Sequence, residues 1–484
     1  MSEFERSTID VPPLDRLDAD SLEAIHEASM YIVENVGIEI DHERARSIFA
    51  DNGGHVDGRV VTLPRSIVET AIEAAPAEFT LHGRNPDHSA VVGGDGPPVR
   101  VPGYGASTVW TVEDGRRDAR VSDFETLTKL AQIEEVITSA GYNVCVPTDL
   151  EADRRHCELL YRSLTLSDKP VMAPTYGERR ARESLEMVSI AVDDPDLSKP
   201  YATGLVNTVP PRRIGAEMLE GLMTFAERGQ PPIISSFAMT GASGPASLAG
   251  SMALVNAENL VGITLAQLCN PGTPVIYGVP ASNVDPRHGA LSIGSTASAL
   301  FTAFAGQMGR YYGVPSRAGG GLTDSKRLDH QSGFESGLTQ AITSFSGVDY
   351  VLHAAGTLDS YSVISPEKFL LDCASLEYLD RFHEGFRIDD DDLALDRIES
   401  VEPAGHFFDD EFAFDRPGGN ADRPGAVLGD SRSYTDWAND GKQSAAQRGA
   451  DRLERRLEAY TQPPMEDDIE RELRGFLDRG LTRS

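Results

Sequence analysis

The stretch TPVIYGVPAS (residues 273–282) is followed by GSTASALFTAFAGQMGRYYG (294–313) and then by VPSRAGGGLTD (314–324). The first and the last are short apolar runs that end in glycine, proline and small polar residues, which is typical of buried strands. The segment between them has the length and apolar spacing of a helix. A strand, a helix and another strand in this order predict two parallel strands joined by a crossover helix.

The same alternation recurs from about residue 121 onward, roughly every 30 to 40 residues. Seven strand–helix units are visible, with their strands at residues 140–149, 169–177, 201–210, 231–244, 273–282, 314–324 and 348–360. We expect an eighth strand within residues 391–402. This number of units predicts an α/β fold of the (β/α)8 or TIM barrel type, and the lack of a G-x-G-x-x-G motif in the first unit disfavours an open dinucleotide-binding sheet.

Changes in composition and in hydrophobic pattern along the chain predict three segments. Residues 1–120 alternate helices with short strands and turns, and we expect them to form a lead-in layer. Residues 121–402 contain the repeating units of the barrel. Residues 403–484 begin with an acidic, turn-rich stretch and end in amphipathic helices, which predicts a helical appendage wrapped on the barrel.

The composition restricts the partners. Asp and Glu total 76 against 44 Lys and Arg, and the net charge is −32, which repels nucleic acid and anionic lipid. The favoured explanation is a solvated surface adapted to high salt, as in halophilic proteins. The N-terminus has no signal-peptide core and no apolar run reaches the roughly 18–20 residues of a membrane span. We therefore expect a cytoplasmic protein without nucleic-acid or membrane partners.

The cysteine and histidine patterns give no sign of a metal site. Four cysteines lie far apart at positions 145, 157, 269 and 373, without a C-x-x-C pair, and no H-x-H pair occurs. His156 and Cys157 are neighbours, but adjacent residues on a helix point in different directions. We expect no metal in this subunit.

The richest polar stretch is SRAGGGLTDSKRLDHQSGFESG, residues 316–337. It follows the sixth predicted strand, and the carboxyl ends of barrel strands carry the active site. Its GGGLTDSK part resembles a phosphate-binding loop, but Ser325 stands where glycine belongs. The other strand ends carry mostly neutral polar residues. Such a site suits chemistry supplied by a partner or cofactor, while the protein positions and polarises the substrate.

Five stretches together resemble one family: LEAIHEASMYIVENVGIEID (22–41), FTLHGRNP (79–86), GGGLTDSKRLDHQSGFES (319–336), SPEKFLLD (365–372) and YTDWANDGKQSAAQRGADRLERRLEAY (434–460). They are similar to the trimethylamine methyltransferase family. The resemblance implies a (β/α)8 barrel that moves a methyl group from a methylated amine to the cobalt of a small corrinoid-binding protein docked over the barrel mouth. It also implies a corrinoid (cobalamin) carried by that partner, with no tightly bound cofactor of its own, and a homo-oligomer.

One departure narrows the expected substrate. Members that act on trimethylamine carry pyrrolysine, and this chain has no such residue. It resembles the branch that demethylates glycine betaine and related quaternary amines. The junction GHFFDDEFAFDRPGGN (405–420) is longer and more acidic than the resemblance leads us to expect.

The resemblance and the residue types together assign roles. Asp324 and His353 are the expected catalytic residues, Asp324 as counter-charge and His353 for a substrate carboxylate. Substrate binding is expected from the set Tyr104, Tyr176, Asn207, Tyr277, His353, Gln331 and Glu335. Gly319, Gly320 and Gly321 are expected to let the backbone approach the corrinoid macrocycle. Lys326 is expected either to form a salt bridge with Asp324 or to brace the docked corrinoid protein. Gln331 and Glu335 should also cap and brace the helix behind the loop.

Two other functions remain open from the sequence. The first is a Schiff-base lyase or aldolase with Lys326 as the imine-forming amine. It requires Lys326 to point into the barrel. The second is a non-catalytic binding protein for betaine-like osmolytes.

Overall fold

The computed structural model describes residues 13–386, 388–407 and 428–481. Its helices are α1 Ala19–Tyr31, α2 Glu43–Asp51, α3 Arg65–Ala74, α4 Val121–Ile133, α5 Arg155–Leu166, α6 Glu178–Ala191, α7 Ala216–Glu227, α8 Leu248–Cys269, α9 Thr296–Tyr312, α10 His330–Phe345, α11 Pro366–Glu384, α12 Asp390–Leu393, α13 Leu395–Ser400, α14 Tyr434–Asn439, α15 Ala445–Ala459 and α16 Asp467–Leu481. A π-helical turn, Ile32–Val36, continues α1, and a 3-10 turn spans Pro86–His88.

The strands are short. They are β1 Ile38–Ile40, β2 His55–Asp57, β3 Val60–Thr62, β4 Glu78–Leu81, β5 Ala90–Gly93, β6 Val99–Arg100, β7 Thr108–Thr111, β8 Gly115–Asp118, β9 Val171–Ala173, β10 Ala202–Asn207, β11 Arg213–Ile214, β12 Pro232–Ser235, β13 Met239–Thr240, β14 Ile276–Gly278, β15 Ser282–Asp285, β16 Ala290–Ser292, β17 Ser316–Gly319, β18 Tyr350–Leu352, β19 Thr357–Leu358 and β20 Val363–Ile364.

The central sheet has seven strands in the order β6–β18–β17–β14–β12–β10–β9, and every neighbouring pair is parallel. The sheet is curled, because side chains of distant strands meet on its inner face. The hydroxyl oxygens of Tyr350 on β18 and Thr203 on β10 are 2.9 Å apart, although three strands lie between them in the sheet. The predicted α/β class with a parallel sheet is confirmed.

Two predicted strands differ from the structure. Residues 140–149 contain only isolated bridges, Gly141 with Val171 and Cys145 with Ala106. The eighth strand expected within residues 391–402 is wrong, because this region holds the last residues of α12 and all of α13. The strand beside β18 is instead β6. It comes from the segment predicted as the lead-in layer, and the division into three segments stays a prediction.

Four smaller sheets surround the central one. The largest two have four strands each. One has the order β11–β1–β3–β2, and the other has the order β19–β20–β7–β8. The hairpin β15–β16 with β13 projects from the carboxyl end of β14, and β4 pairs with β5. These sheets bring segments from the first 120 residues and from the strand-end loops together around the central sheet.

Helices cover the outside of the central sheet. The C-terminal helix α15 packs against α11 and α4, and α16 packs against α5 and α6. The Tyr460 hydroxyl, just after α15, donates to the Leu166 carbonyl at 2.8 Å. Arg456 forms an ion pair with the buried Glu134 at 2.8 Å. The C-terminal helices are thus fastened to the sheet's helical layer.

Helix α8 is the most deeply placed helix of this layer. In the described part of the chain it alone is long and apolar enough to cross a membrane, with a mean hydropathy of 1.3. However, 89% of that apolar stretch is buried inside the fold, as in the core helix of a globular domain. Its length therefore reflects its position between α1, α3 and α7.

Candidate active site

The inner face of the curled sheet carries a buried cation, Arg317, on β17. The residue is 2% exposed, and its best hydrogen bond is a long one of 3.4 Å from Nη1 to Ser235 Oγ. Its Nε is buried without a partner, and within the described residues no carboxylate forms an ion pair with it. Burial lowers the pKa of Arg317 to about 10, so the guanidinium remains charged at neutral pH.

Aromatic side chains lie near this cation, and one of them, Tyr350, is its neighbour on β18. Tyr350 and Tyr361 are close enough to Arg317 to offset part of the fall in its pKa. Tyr361 lies against the His353 ring, with 4.5 Å between ring centroids, and meets Phe237 edge-on at 6.3 Å. The hydroxyl oxygen of Tyr361 is buried and has no hydrogen-bond partner among the described residues. Arg317 Nε and the Tyr361 hydroxyl are therefore two buried donors that the protein itself leaves unused.

His353 follows β18 with a left-handed backbone, φ 62°. Its Nδ1 accepts a hydrogen bond from the Tyr104 backbone N–H at 3.2 Å, which places the ring proton on Nε2. Burial lowers the pKa of His353 well below its ordinary value, and the charge of Arg317 lowers it further. His353 is therefore a neutral ring near the charged Arg317, and its predicted role in binding a substrate carboxylate stays a prediction.

Asp324 joins three strand-end loops. It accepts hydrogen bonds from the Ser292 hydroxyl at 2.9 Å, the Ile293 N–H at 2.8 Å, the Gly294 N–H at 3.1 Å and the Ser360 hydroxyl at 2.6 Å. These four donors come from the β15–β16 hairpin region and from the loop after β19. Asp324 therefore organises the rim of the site, and its predicted role as a counter-charge to the substrate stays a prediction.

Glu335 and Gln331, predicted both to bind substrate and to brace α10, are placed as braces. Glu335 is buried and accepts from the Thr323 hydroxyl at 2.6 Å, the Asp324 N–H at 2.8 Å and the Gln331 side-chain amide at 3.0 Å. The residue that caps α10 is Asp329, whose side chain accepts from the Ser332 N–H. Substrate contact by Glu335 would require it to give up these bonds.

The glycine run 319–321 is buried and packs against protein. A Cβ at Gly320 would lie 2.8 Å from the Ala354 Cα, and one at Gly321 would lie 2.9 Å from the Ala354 carbonyl oxygen. A Cβ at Gly319 would meet Leu322 at 2.6 Å. Close chain packing therefore favours glycine most strongly at 320 and 321, and the predicted approach of this run to the macrocycle stays a prediction.

Lys326 lies at the rim and points outward. Its side chain is 69% exposed, its Nζ donates to the Asp324 carbonyl at 2.5 Å, and it is 3.7 Å from an Asp359 carboxylate oxygen. It does not point into the sheet, as the aldolase alternative required. An exposed position remains compatible with bracing a docked partner, which stays a prediction.

Tyr277 was predicted to offer an aromatic face to the substrate, and the structure contradicts this. Its hydroxyl donates to Asn256 Oδ1 of α8 at 2.9 Å, and its ring packs edge-on against Tyr312 of α9 at 6.0 Å. The side chain thus points from β14 toward the helical layer. Tyr277 belongs to the packing between sheet and helices.

The other predicted substrate residues lie at the carboxyl end of the sheet. Tyr104 and Tyr176 are near enough to influence each other electrostatically, and burial raises the pKa of both, so both are neutral phenols. Tyr176 is 39% exposed, at the mouth. Asn207 ends β10 opposite Ser235 of β12. Substrate contact by these three residues stays a prediction.

A cluster of potential metal ligands lies away from this site. His156, Cys157 and Glu183 bring their ligand atoms within 4.8 Å of one another, between α5 and α6. His156 Nε2 is 2.7 Å from Glu183, and Arg179 binds both oxygens of the same carboxylate at 2.9 Å. The Arg179 charge disfavours a cation here, and the absence of a metal stays a prediction.

Sequence reasoning missed Arg317 and Tyr361. A usable signal was present for the arginine. Parallel strands in this architecture are buried on both faces, so a charged residue inside the apolar run VPSRAGGG is anomalous. Tyr361 gave no comparable signal, because its position depends on how the loop after β19 folds back.

Comparison with known proteins adds a consistent pattern. A family model described as trimethylamine methyltransferase (MTTB) matches residues 2–482. The chain is 40% identical over 469 residues to a glycine betaine methyltransferase of Desulfitobacterium hafniense (strain Y51), covering 96% of this chain and 97% of the relative. It is 32% identical to a proline betaine:corrinoid methyltransferase of Eubacterium limosum, covering 80% of this chain and 81% of the relative.

A solved structure supports the fold. The monomethylamine methyltransferase MtmB of Methanosarcina barkeri superposes with a TM-score of 0.57 at 11% sequence identity. The match covers 93% of this chain and 90% of that one. At this identity the likeness concerns the arrangement of strands and helices alone.

Proposed function

We propose that this chain, which belongs to the trimethylamine methyltransferase family, transfers a methyl group from a quaternary amine to the cobalt of a corrinoid protein. The match over residues 2–482 and the 40% identity over nearly the whole chain confirm the family expected from the sequence. Relatives named for glycine betaine, proline betaine and L-carnitine support a quaternary amine as methyl donor.

The observation that carries the substrate class is the unpaired guanidinium of Arg317. A buried charge without a partner is expensive, and proteins seldom retain one unless a ligand neutralises it. The three named donors are betaines that carry a carboxylate, and Arg–carboxylate pairing is strong and directional. We infer that Arg317 binds the carboxylate of a zwitterionic quaternary amine such as glycine betaine.

The rings of Tyr104 and Tyr176 would then hold the ammonium end of the substrate. Tyrosine faces attract a quaternary ammonium through their quadrupole, and exclusion of water strengthens this attraction. The leaving group is a neutral tertiary amine, so no general acid has to protonate it. His353 is neutral, so Arg317 is the charged group that would bind the carboxylate. The corrinoid of the partner protein supplies the nucleophilic cobalt.

Further parts of the proposal concern assembly and location. We propose that the sheet closes into a (β/α)8 barrel, supported by residues 138–141, whose backbone bonds to Arg100 on one side and to Pro170 and Met172 on the other. We also propose a small corrinoid-binding partner at the mouth, a homo-oligomer and a cytoplasmic location. A surface adapted to high salt remains the preferred account of the net charge of −32.

The experiment is a donor panel with reduced cobalamin as acceptor. Glycine betaine, proline betaine, carnitine, choline and trimethylamine are each supplied with the enzyme, and methylation of the cobalt is followed by its absorbance. We expect transfer from one or more of the carboxylated quaternary amines, and little from choline or trimethylamine. Absence of transfer from every carboxylated donor, with free cobalamin and with the corrinoid protein, contradicts the proposal.

A further inference from the structure

We propose that the loop between β19 and β20 determines substrate specificity. In this proposal the Tyr361 hydroxyl donates a hydrogen bond to the substrate carboxylate that Arg317 binds. Tyr361 would thereby favour carboxylated quaternary amines over otherwise similar cations. This inference rests on the proposed function and adds to it a second ligand for the substrate carboxylate.

The backbone of this loop is unusual. Asp359, Ser360 and Tyr361 follow one another in the left-handed region, with φ values of 46°, 50° and 76°. None of them is glycine, and left-handed conformations are disfavoured for residues with a Cβ. Strained backbone of this kind persists only where surrounding contacts enforce it, and it is concentrated at ligand sites.

Contacts to the loop that follows β17, residues 320–329, enforce this conformation. The Asp359 N–H donates to the Ser325 carbonyl at 2.8 Å, and the Ser360 N–H donates to the Thr323 carbonyl at 3.2 Å. The Ser360 hydroxyl reaches Asp324 at 2.6 Å, and the Asp359 carboxylate pairs with Arg116 at 2.7 Å. The loop is therefore held from both sides, and the rim residue Asp324 gains a function through Ser360.

The result of this strain is the placement of one side chain. Tyr361 is turned inward, its ring lies against His353 and Phe237, and its hydroxyl is buried without a partner. Burial raises the pKa of Tyr361 to about 12, so the group is a protonated donor at neutral pH. Arg317 pairs with Tyr350 of β18, three residues before His353, and the Tyr361 ring lies 4.5 Å from the His353 ring, so the two groups lie at the same end of the site. The charge of Arg317 also acts on the Tyr361 hydroxyl.

A purely structural role does not account for the hydroxyl. Phenylalanine would give the same ring contacts with His353 and Phe237 without leaving a buried O–H unpaired, and unpaired buried donors are unfavourable. A carboxylate beside Arg317 would satisfy both Arg317 Nε and the Tyr361 hydroxyl. Choline, which has a hydroxyl in place of the carboxylate, would offer no charged acceptor to either group.

The test measures binding without the corrinoid partner. Titration calorimetry gives the Kd of glycine betaine and of choline for the wild type, for Tyr361→Phe and for the control Tyr378→Phe, whose ring is 66% exposed on α11. A hydrogen bond to a charged group corresponds to a roughly 10- to 150-fold change in Kd. We expect Tyr361→Phe to weaken the binding of glycine betaine by this factor and to leave the Kd of choline unchanged. We also expect this variant to be as stable to unfolding as the wild type.

Each outcome separates this inference from the proposed function. If the wild type binds neither glycine betaine nor another carboxylated quaternary amine, the proposed function itself fails. If the wild type binds glycine betaine and Tyr361→Phe binds it equally well, the inference about Tyr361 is wrong. An equal loss of glycine betaine and choline also overturns it, because the change would then act through ring packing. The control Tyr378→Phe should match the wild type for both ligands.

Discussion

Two buried cations, Lys368 and Arg317, lie near the glycine run 319–321, and only Lys368 has a carboxylate partner among the described residues. Lys368 on α11 is inside the helical layer, where its Nζ is 2.5 Å from the Asp372 carboxylate and 3.4 Å from the Gly321 carbonyl. Arg317 is on the inner face of β17, with one long hydrogen bond and an unpaired Nε. Both are almost completely shielded from water, so the difference between them lies in their partners.

This difference separates structure from ligand binding. Lys368 and Asp372 neutralise each other inside the fold. Asp372 also accepts a hydrogen bond from the Gly356 N–H at 2.8 Å, so Asp372 fastens the chain after β18 to α11. Arg317 has no such partner among the described residues, and the proposed function supplies one from outside the chain. A paired buried ion is part of the fold, whereas an unpaired one indicates a ligand.

The largest effect should come from breaking the complete pair. Lys368→Met leaves the Asp372 carboxylate buried without its cation, and loss of one partner of a buried pair costs about 3–5 kcal/mol. We expect the free energy of unfolding, measured by urea titration, to fall by that amount. The double variant Lys368→Met/Asp372→Leu should recover much of the loss, because no buried charge remains. A single variant as stable as the wild type would show that the pair is not structural.

Removing the unpaired cation Arg317 should lower activity and leave stability unchanged. Arg317→Met breaks no ion pair in the described structure, so we expect unchanged or slightly higher stability. Loss of a charged hydrogen bond to substrate costs about 1.5–3 kcal/mol, which lowers kcat/KM for glycine betaine roughly 10- to 150-fold. The matched control is Arg310→Met on α9, whose guanidinium bonds to the Ser346 carbonyl and to Asp15. It should lower stability and spare kcat/KM.

His353 offers a test by pH. Unfolded histidine gains a proton near pH 6.5, whereas burial keeps folded His353 neutral to a much lower pH. Below about pH 6.5 the unfolded chain therefore binds more protons, and the free energy of unfolding falls by up to about 1.4 kcal/mol per pH unit. His353→Asn, which tolerates the left-handed backbone, should remove this part of the acid sensitivity. Equal acid sensitivity in both proteins would mean that His353 is charged when folded.

The sequence predicts the parallel sheet well and the inner surface poorly. Strand–helix alternation is a local pattern, so the order of units can be recognised from residues 169–360. Pairing of the two-residue strand β6 with β18 joins residues about 250 apart, which no local pattern reveals. The apolar residues within 391–402 suit a helix as well as a strand, and there they form α13.

The candidate site was hard to predict for a related reason. In a strand buried on both faces the alternation between polar and apolar residues disappears, so the sequence does not say which side chains point inward. Tyr277 was therefore wrongly expected to face the substrate, and Arg317 was overlooked. Asp324 has the residue type expected for a counter-charge, but four donors from other loops occupy it. Roles at strand ends depend on loops that meet only in the folded chain.

The smallest effect should come from the cation that is fully accessible. Lys326 is 69% exposed and pairs loosely with Asp359 at 3.7 Å, and such a pair is worth about 0–1 kcal/mol. Lys326→Ala should therefore retain at least roughly one fifth of the wild-type rate with free cobalamin. A larger loss that appears only with the corrinoid protein would assign Lys326 to docking. An inert variant, together with a borohydride-trapped carbonyl adduct on Lys326 of the wild type, would instead favour Schiff-base chemistry and overturn the division between the rim and the inner face.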